Sequence, residues 1–206
     1  HRDLHSFPTR RSSDLLIMEI TPKILLQNAE LYGAESALSV RDQEGNWHQT
    51  NWSDQYAEIM EISKALFACG VGINDKVSIY SYNRKEWYAG YLAAQTIGGV
   101  AVGVYHTCSS QEVEWIVGNS DSKVVFVGDN PMDNGEKEKM PIHRILKILD
   151  NLPQVETVVM MSGIEVLNHE KMISWEDFIG RGKDISVNTV TDILDKLTLE
   201  DRKSVV

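Results

Sequence analysis

Apolar residues along this chain recur with two different periods, and the switches between them divide it into elements. From Asp75 to Tyr105 a short β-branched run, Val77 to Ser81, gives way to a turn at Tyr82-Asn83 and an apolar-rich segment from Trp87 to Ile97. A Gly98-Gly99 break and a second β-rich run, Val100 to Val104, complete the stretch. The pattern predicts strand, helix, strand. Asn83 stands three residues before Glu86, the spacing of a capping box, which predicts a helix start near Arg84. Two strands joined by one helix make a parallel βαβ unit, and a parallel sheet needs helices on both faces.

The flanking segments fit around that unit. Thr21-Pro22 followed by Ile24, Leu25, Asn28 and Leu31 predicts a helix capped by Thr21 and ending near Gly33. Ala37 to Arg41 and Trp47 to Trp52 read as a hairpin turning at Gly45-Asn46. Ser53 is then expected to cap a helix with Tyr56, Ile59, Met60, Ser63, Leu66 and Phe67 on one face and Gly70 as its stop. After the loop Tyr105 to Cys108, Ser109 and Glu112 form a second capping box for a helix over Gln111 to Asn119, and Lys123 to Val127 is a third β-rich run. Gly128 to Pro141 reads as a long polar loop with a charged turn at Glu136 to Lys139. Beyond it come a helix over Ile142 to Leu152, a strand over Val155 to Met161, a short helix started by Ser174 with Asp177, and a helix over Asn188 to Leu197. The fold class predicted is α/β, a doubly wound, mostly parallel sheet with helices on both faces.

Composition narrows the functional classes. The chain has 206 residues, 42 % of them hydrophobic, with a formal net charge of −10, which argues against a nucleic-acid partner because phosphate binding calls for a basic face. Cys69 and Cys108 are the only cysteines, too few for a disulfide framework, and fit a reducing, cytoplasmic compartment. Beyond residues 1–15 the histidines are scattered without metal-ligand spacing. The uncharged run from Tyr88 to Tyr105 approaches a membrane span in length, but Gln95 and the glycine break read as a buried helix followed by a strand. No transmembrane segment is expected, and peripheral membrane association and oligomeric state stay open.

The two ends read differently from the middle. Residues 1–15 lack apolar periodicity, and Thr9 to Leu15 and Asp201 to Val206 can be written as opposite strands of one DNA adapter translated in frame. The expected division is an adapter-derived tail over 1–15, a partial domain over 16–200 and a second adapter-derived tail over 201–206.

Chemistry-bearing motifs are sparse. Neither G-x-G-x-x-G, G-x-x-x-x-G-K-[ST] nor G-x-S-x-G occurs, so no phosphate-binding turn or nucleophile elbow is predicted. The loop Tyr105 to Cys108 is the candidate site, because ligands in doubly wound sheets sit beyond the carboxyl ends of strands and a helix N-terminus follows it. Against that, Ser109 can simply cap its own helix and His106 be a solvated loop residue. Asn83, Arg84 and Trp87 are read as cap, surface charge and core aromatic.

The run from Thr50 to Asp129 resembles the N-terminal part of the AMP-forming acyl-CoA synthetases, most closely the long-chain fatty-acid–CoA ligase branch. The matching features are the Trp before the helix, Leu-x3-Gly-Val, Asp-x-Val, Asn-x2-Glu-Trp, the small-residue helix, Tyr-x-Thr, then Ser and Val-Val-Phe-Val. The resemblance weakens beyond Gly128 and resumes through Pro153 to Met161 and Trp175 to Phe178. It implies an enzyme that uses ATP and Mg²⁺ to convert a fatty acid to acyl-AMP and passes the acyl group to CoA. It also implies that His106, Thr107 and Cys108 lie near the CoA nucleotide; relatives with glycines there let the backbone approach, whereas this chain has larger residues. The family's Ser/Thr/Gly-rich phosphate loop, acidic Mg²⁺ ligand, ribose-binding Asp and C-terminal Lys are not in these 206 residues, so no catalytic residue is assigned and the chain alone is expected to be inactive. Two alternatives remain: another adenylate-forming enzyme of the aryl or peptide-synthetase type, and a non-catalytic α/β module that docks a partner through an open sheet edge.

Overall fold

The computed structural model describes residues 19–42, 44–129 and 140–200, and the backbone of 204–205. In chain order the elements are α1 (Thr21–Tyr32), β1 (Ser36–Arg41), β2 (Trp47–Asn51), α2 (Trp52–Ala68), β3 (Lys76–Ser81), α3 (Lys85–Thr96), β4 (Val100–Val104), α4 (Ser110–Ser120), β5 (Ser122–Gly128) and α5 (Pro141–Ile148). A 3₁₀ turn (Leu149–Asn151) follows, then β6 (Thr157–Met160), β7 (Met172–Ile173), α6 (Trp175–Arg181), α7 (Val187–Lys196) and β8 (Ser204–Val205). The strands β7-β6-β5-β3-β4-β8 form one parallel sheet in that spatial order, and β1 and β2 pair as a separate antiparallel hairpin. The doubly wound α/β prediction is correct.

The period-2 alternation of each central strand builds two cores. Val77 and Ile79 of β3, Val124 and Phe126 of β5 and Val159 of β6 face α2 and α3, where Ile59, Ile62, Leu66, Leu92 and Ala93 meet them. Their neighbours Tyr80, Val125, Val127, Val158 and Met160 face the other way, onto Val113 and Val117 of α4 and Ile142 and Ile145 of α5. Strands apolar on both faces are the mark of a sheet covered on both sides. Ile62 and Ala65, which fall outside the single stripe read for α2, are also fully buried because α3 and α6 press on the helix from further round.

Several predicted caps are corrected. Thr21 lies inside α1, whose N-cap is Ile20 without a side-chain cap bond; Pro22 near the start sets the helical φ instead. α2 is capped by Asn51, whose Oδ1 accepts from the Asp54 amide at 2.8 Å, rather than by Ser53. The Asn83–Glu86 box does not form: Arg84 is the N-cap, and the Glu86 carboxylate is taken by the Arg84 guanidinium. An ion pair with a nearby arginine outcompetes a backbone cap bond. The Ser109–Glu112 box and the Ser174 cap form as read. The two-residue β7 was not predicted, since so short a run carries no period. The charged turn at Glu136 to Lys139, most of the polar loop and the 1–15 tail lie outside the described residues, as do the side chains of the C-terminal tail.

The hairpin is held at its turn by charge as well as by Gly45, whose φ of +93° only glycine adopts freely. Asp42 accepts from the Asn46 amide at 2.7 Å and meets His48 Nε2 at 2.6 Å. The His48 contact holds its carboxyl down at about 2, against an ordinary 3.8. A depressed carboxyl pKa contributes stability that is complete above the ordinary value and is lost as pH falls through the depressed one. Hairpin order, followed by amide NMR, is therefore expected to survive at pH about 4 and to fade toward pH about 2. Loss of the hairpin resonances at the ordinary carboxyl value would show that the clasp does not operate.

Candidate functional site

The sheet reverses its winding between β3 and β5. The chain leaves β3 through α3 on one face to reach β4 on one side, and leaves β5 toward α5 on the other face to reach β6 on the opposite side. Loops that diverge in this way leave a crevice above the carboxyl ends of the two strands. Here it is a cavity of about 1050 Å³. Its walls are the β3 loop from Ser81 to Trp87, the small β4 residues Ala101 and Gly103, the start of the β4 loop at Tyr105 and His106, Asp129 after β5, and Ser162 to Ile164 after β6. Val40 and Arg41 of the hairpin close one side.

At the floor, Ser81 and Gly128 are the last registered pair of β3 and β5. Ser81 is 4 % exposed, and its hydroxyl has no hydrogen-bond partner among the described residues. Gly128 makes room for that hydroxyl, since a Cβ there would stand 2.4 Å from Ser81 Oγ. A buried hydroxyl without a partner costs free energy, and a ligand's polar atom would relieve it.

Arg84 is no surface charge. Its Nε and Nη2 donate to Glu86 at 2.8 and 2.9 Å, and Nη2 also donates to the Ser162 carbonyl at 2.6 Å. That bond clasps the loops after β3 and β6 across the cavity. Asn83 is exposed and lines the wall without capping α3. Trp87 is half-buried, stacks on Tyr91 at 5.6 Å between ring centroids, and its ring edge fills the space over Gly103. Asp129 accepts from the Ile142 amide at 3.0 Å, placing a carboxylate at the N-terminal turn of α5, where the helix dipole favours it.

The three predicted site residues separate. His106 lines the cavity with its ring stacked on Tyr82, 3.6 Å between centroids at 24°. Thr107 is exposed beyond the rim, and Cys108 is half-buried against the second core. Burial pushes the Cys108 thiol up, so it is no ready nucleophile. The α4 N-terminus is already served by its own chain: Glu112 Oε2 accepts from the Ser109 amide at 2.7 Å, and this bond lowers its pKa. Capping is thus the role of Ser109, and the feature that points outward is the loop before it.

Sequence reasoning missed Ser81, Tyr80, Asp129 and Arg144. A serine ending an otherwise apolar strand is a usable signal for Ser81. Arg144 carries none, because it lies 36 residues beyond the Cys108 carbonyl it serves.

Comparison with known proteins agrees with this architecture. The chain is 23 % identical over 172 residues to a long-chain-fatty-acid–CoA ligase of Xenopus laevis, covering 84 % of this chain and 22 % of the relative. A long-chain-fatty-acid–CoA ligase of Rattus norvegicus is 25 % identical over 183 residues, 88 % of this chain and 25 % of the relative. The chain therefore spans about a quarter of the length of these relatives. Among solved structures, coronafacic acid ligase from Pectobacterium brasiliense superposes with a TM-score of 0.70 at 18 % identity, over 91 % of this chain and 33 % of that one. Anthranilate CoA ligase AuaEII in complex with anthranoyl-AMP gives a TM-score of 0.65 at 20 % identity, over 82 % of this chain and 30 % of that one. Residues 25–193 match the AMP-binding enzyme family, and the chain belongs to it.

Proposed function

We propose that this chain is the N-terminal part of a ligase that activates a long-chain fatty acid with ATP and Mg²⁺ as an acyl-adenylate and passes the acyl group to CoA. The observation that carries the reading is the family match over 25–193, together with fatty-acid–CoA ligases among the relatives. The chemistry is a displacement at phosphorus followed by one at carbon. The carboxylate oxygen bonds to the α-phosphorus as pyrophosphate leaves, which turns an unreactive carboxylate into a mixed anhydride. The CoA sulfur then bonds to the acyl carbon as AMP leaves and the thiol proton passes to solvent.

Only part of that chemistry can be assigned to these residues. Among the described residues no three His, Cys, Asp or Glu side chains come together as a metal site, and the sequence has no phosphate-binding glycine loop. Among the described residues none is assigned to the triphosphate or its Mg²⁺. CoA is different, because His106 lines the cavity with its ring and Thr107 is exposed just beyond it, with Cys108 half-buried behind them. In this reading that loop lies along the CoA nucleotide, His106 giving its ring and Thr107 its amide. No helix among the described residues is long and apolar enough to cross a membrane. A cytoplasmic, membrane-peripheral location is part of this reading, and the free thiols of Cys69 and Cys108 support its reducing side.

Two outcomes are expected of the purified chain. It forms no acyl-adenylate, so ATP–pyrophosphate exchange with a fatty acid present stays at the buffer background; exchange above background would show that the phosphate-binding groups are here after all. In a titration with millimolar CoA, amide shifts concentrate on Tyr105 to Ser109. Shifts confined to another face would refute the assignment of the loop.

A further inference from the structure

Three hydrogen bonds converge on the carbonyls of the β4–α4 loop from outside the loop. Arg144 Nη1, on the first turn of α5, donates to the Cys108 carbonyl at 2.7 Å and to the His106 carbonyl at 3.2 Å. Tyr80 Oη, from the buried carboxyl end of β3, donates to the Cys108 carbonyl at 2.9 Å. The Tyr80 ring is wholly inaccessible, so its hydroxyl reaches the loop from below as a fixed post. Within the loop, only the turn bond from the Cys108 amide to the Tyr105 carbonyl, 2.9 Å, holds the chain to itself.

The peptide planes then decide which way the loop's donors face. Every peptide bond described is trans, and in a trans peptide the N–H points opposite to the carbonyl of the preceding residue. With the His106 carbonyl drawn inward to Arg144, the Thr107 N–H is turned outward, and it has no partner among the described residues. With the Cys108 carbonyl drawn inward, the Ser109 N–H faces its own capping partner, Glu112. The inward bonds thus leave the Thr107 backbone donor turned away from Arg144, next in the chain to the His106 ring that lines the cavity.

We propose that Arg144, with Tyr80, is the positioning residue of this loop, fixing its carbonyls inward so that the Thr107 amide and the His106 ring are held ready for a phosphate-bearing ligand. The inference rests on the reading of Tyr105 to Cys108 as the loop that meets CoA. Both carbonyls are served by the one nitrogen Nη1, which also lies 3.5 Å from Tyr80 Oη, so Arg144 steadies the hydroxyl that shares the Cys108 carbonyl with it. Two charge-assisted bonds from Arg144 also dominate over the single neutral bond from Tyr80.

The test uses the whole chain as Arg144→Met, Arg144→Lys and Tyr80→Phe. Amide hydrogen exchange is measured without ligand, and amide shifts are followed in a titration with CoA. Arg144→Met is expected to speed exchange at Cys108 about tenfold while Ile79 and Val125 in the sheet stay unchanged, and to weaken the CoA-induced shift of Thr107 about tenfold in affinity. Arg144→Lys should recover part of both effects, and Tyr80→Phe should change each by roughly two- to threefold. Exchange at Cys108 and CoA affinity that match the unaltered chain in Arg144→Met would overturn the proposal. If that variant does not fold, Tyr80→Phe, which keeps the buried ring, carries the same comparison. If the unaltered chain shows no CoA-dependent shift, the CoA reading fails, while the exchange rates alone still decide whether Arg144 fixes the loop.

Discussion

Phe126→Ala is expected to lower the stability of the chain by about 3–5 kcal/mol, the usual range for emptying a fully buried phenylalanine site. Phe126 stands at the centre of β5 with no exposed surface. Its ring meets Phe178 edge-on at 5.3 Å and 83° and lies tilted against Trp175 at 5.9 Å, so it is the post on which α6 rests. From the other side α3 comes close enough that a Cβ on Gly90 would lie 3.2 Å from the ring. Truncation leaves a cavity walled by a strand and two helices, none of which can collapse into it without breaking its own packing. Because a domain of this size has only about 5–15 kcal/mol in hand, urea unfolding should show the midpoint falling by a large fraction of its value. A loss below about 1 kcal/mol would mean that α6 is not anchored to the sheet through this ring.

Gly128→Ala should cost about 1–3 kcal/mol and, unlike the first change, should act at the floor of the site. The added Cβ would lie 2.4 Å from Ser81 Oγ and 2.8 Å from Met161 Sδ. Methionine can swing aside, but serine has only three rotamers and its backbone is fixed in β3. The hydroxyl must therefore turn into the cavity or the strands must part. Ser81→Ala alone should be close to neutral, because it removes a buried hydroxyl that has no partner among the described residues. Combined with Gly128→Ala it should recover much of the loss, with a coupling of about 0.5–3 kcal/mol between neighbours in contact. Strict additivity in that double-mutant cycle would place Ser81 and Gly128 out of contact and remove the packing argument for the floor.

The fold was largely legible because its strands carry one signal twice. Val77 to Ser81 and Val124 to Val127 are mostly apolar and buried on both faces, which only a sheet covered on both sides tolerates, and the Gly98-Gly99 break sits between helix and strand where Gly98 takes a φ of +77°. Caps were less legible, because Thr, Ser and Asn compete for one position and the winner depends on where the preceding strand ends, as Asn51 shows at the end of β2. The loop from Tyr105 to Cys108 could be placed at the carboxyl end of a strand from topology alone. What holds it could not, since Tyr80 reads as one more core aromatic and Arg144 as one more surface cation. Glu86 was misread for a related reason: its partner, Arg84, is two residues away, and local spacing cannot say whether a carboxylate turns to the backbone or to a guanidinium.

The measurement that tests the central claim most directly is to sequence the source DNA outward from the codon for Glu200, express the extended reading frame, and assay it for ATP–pyrophosphate exchange and thioester formation with CoA across fatty and aryl acids. The account predicts a frame that continues into a Ser/Thr/Gly-rich phosphate loop and a protein whose exchange depends on a long-chain fatty acid and whose product is the acyl-CoA. A frame that ends at Val206, or an extended protein that activates no carboxylic acid, would contradict it and leave the α/β module that docks a partner as the better description.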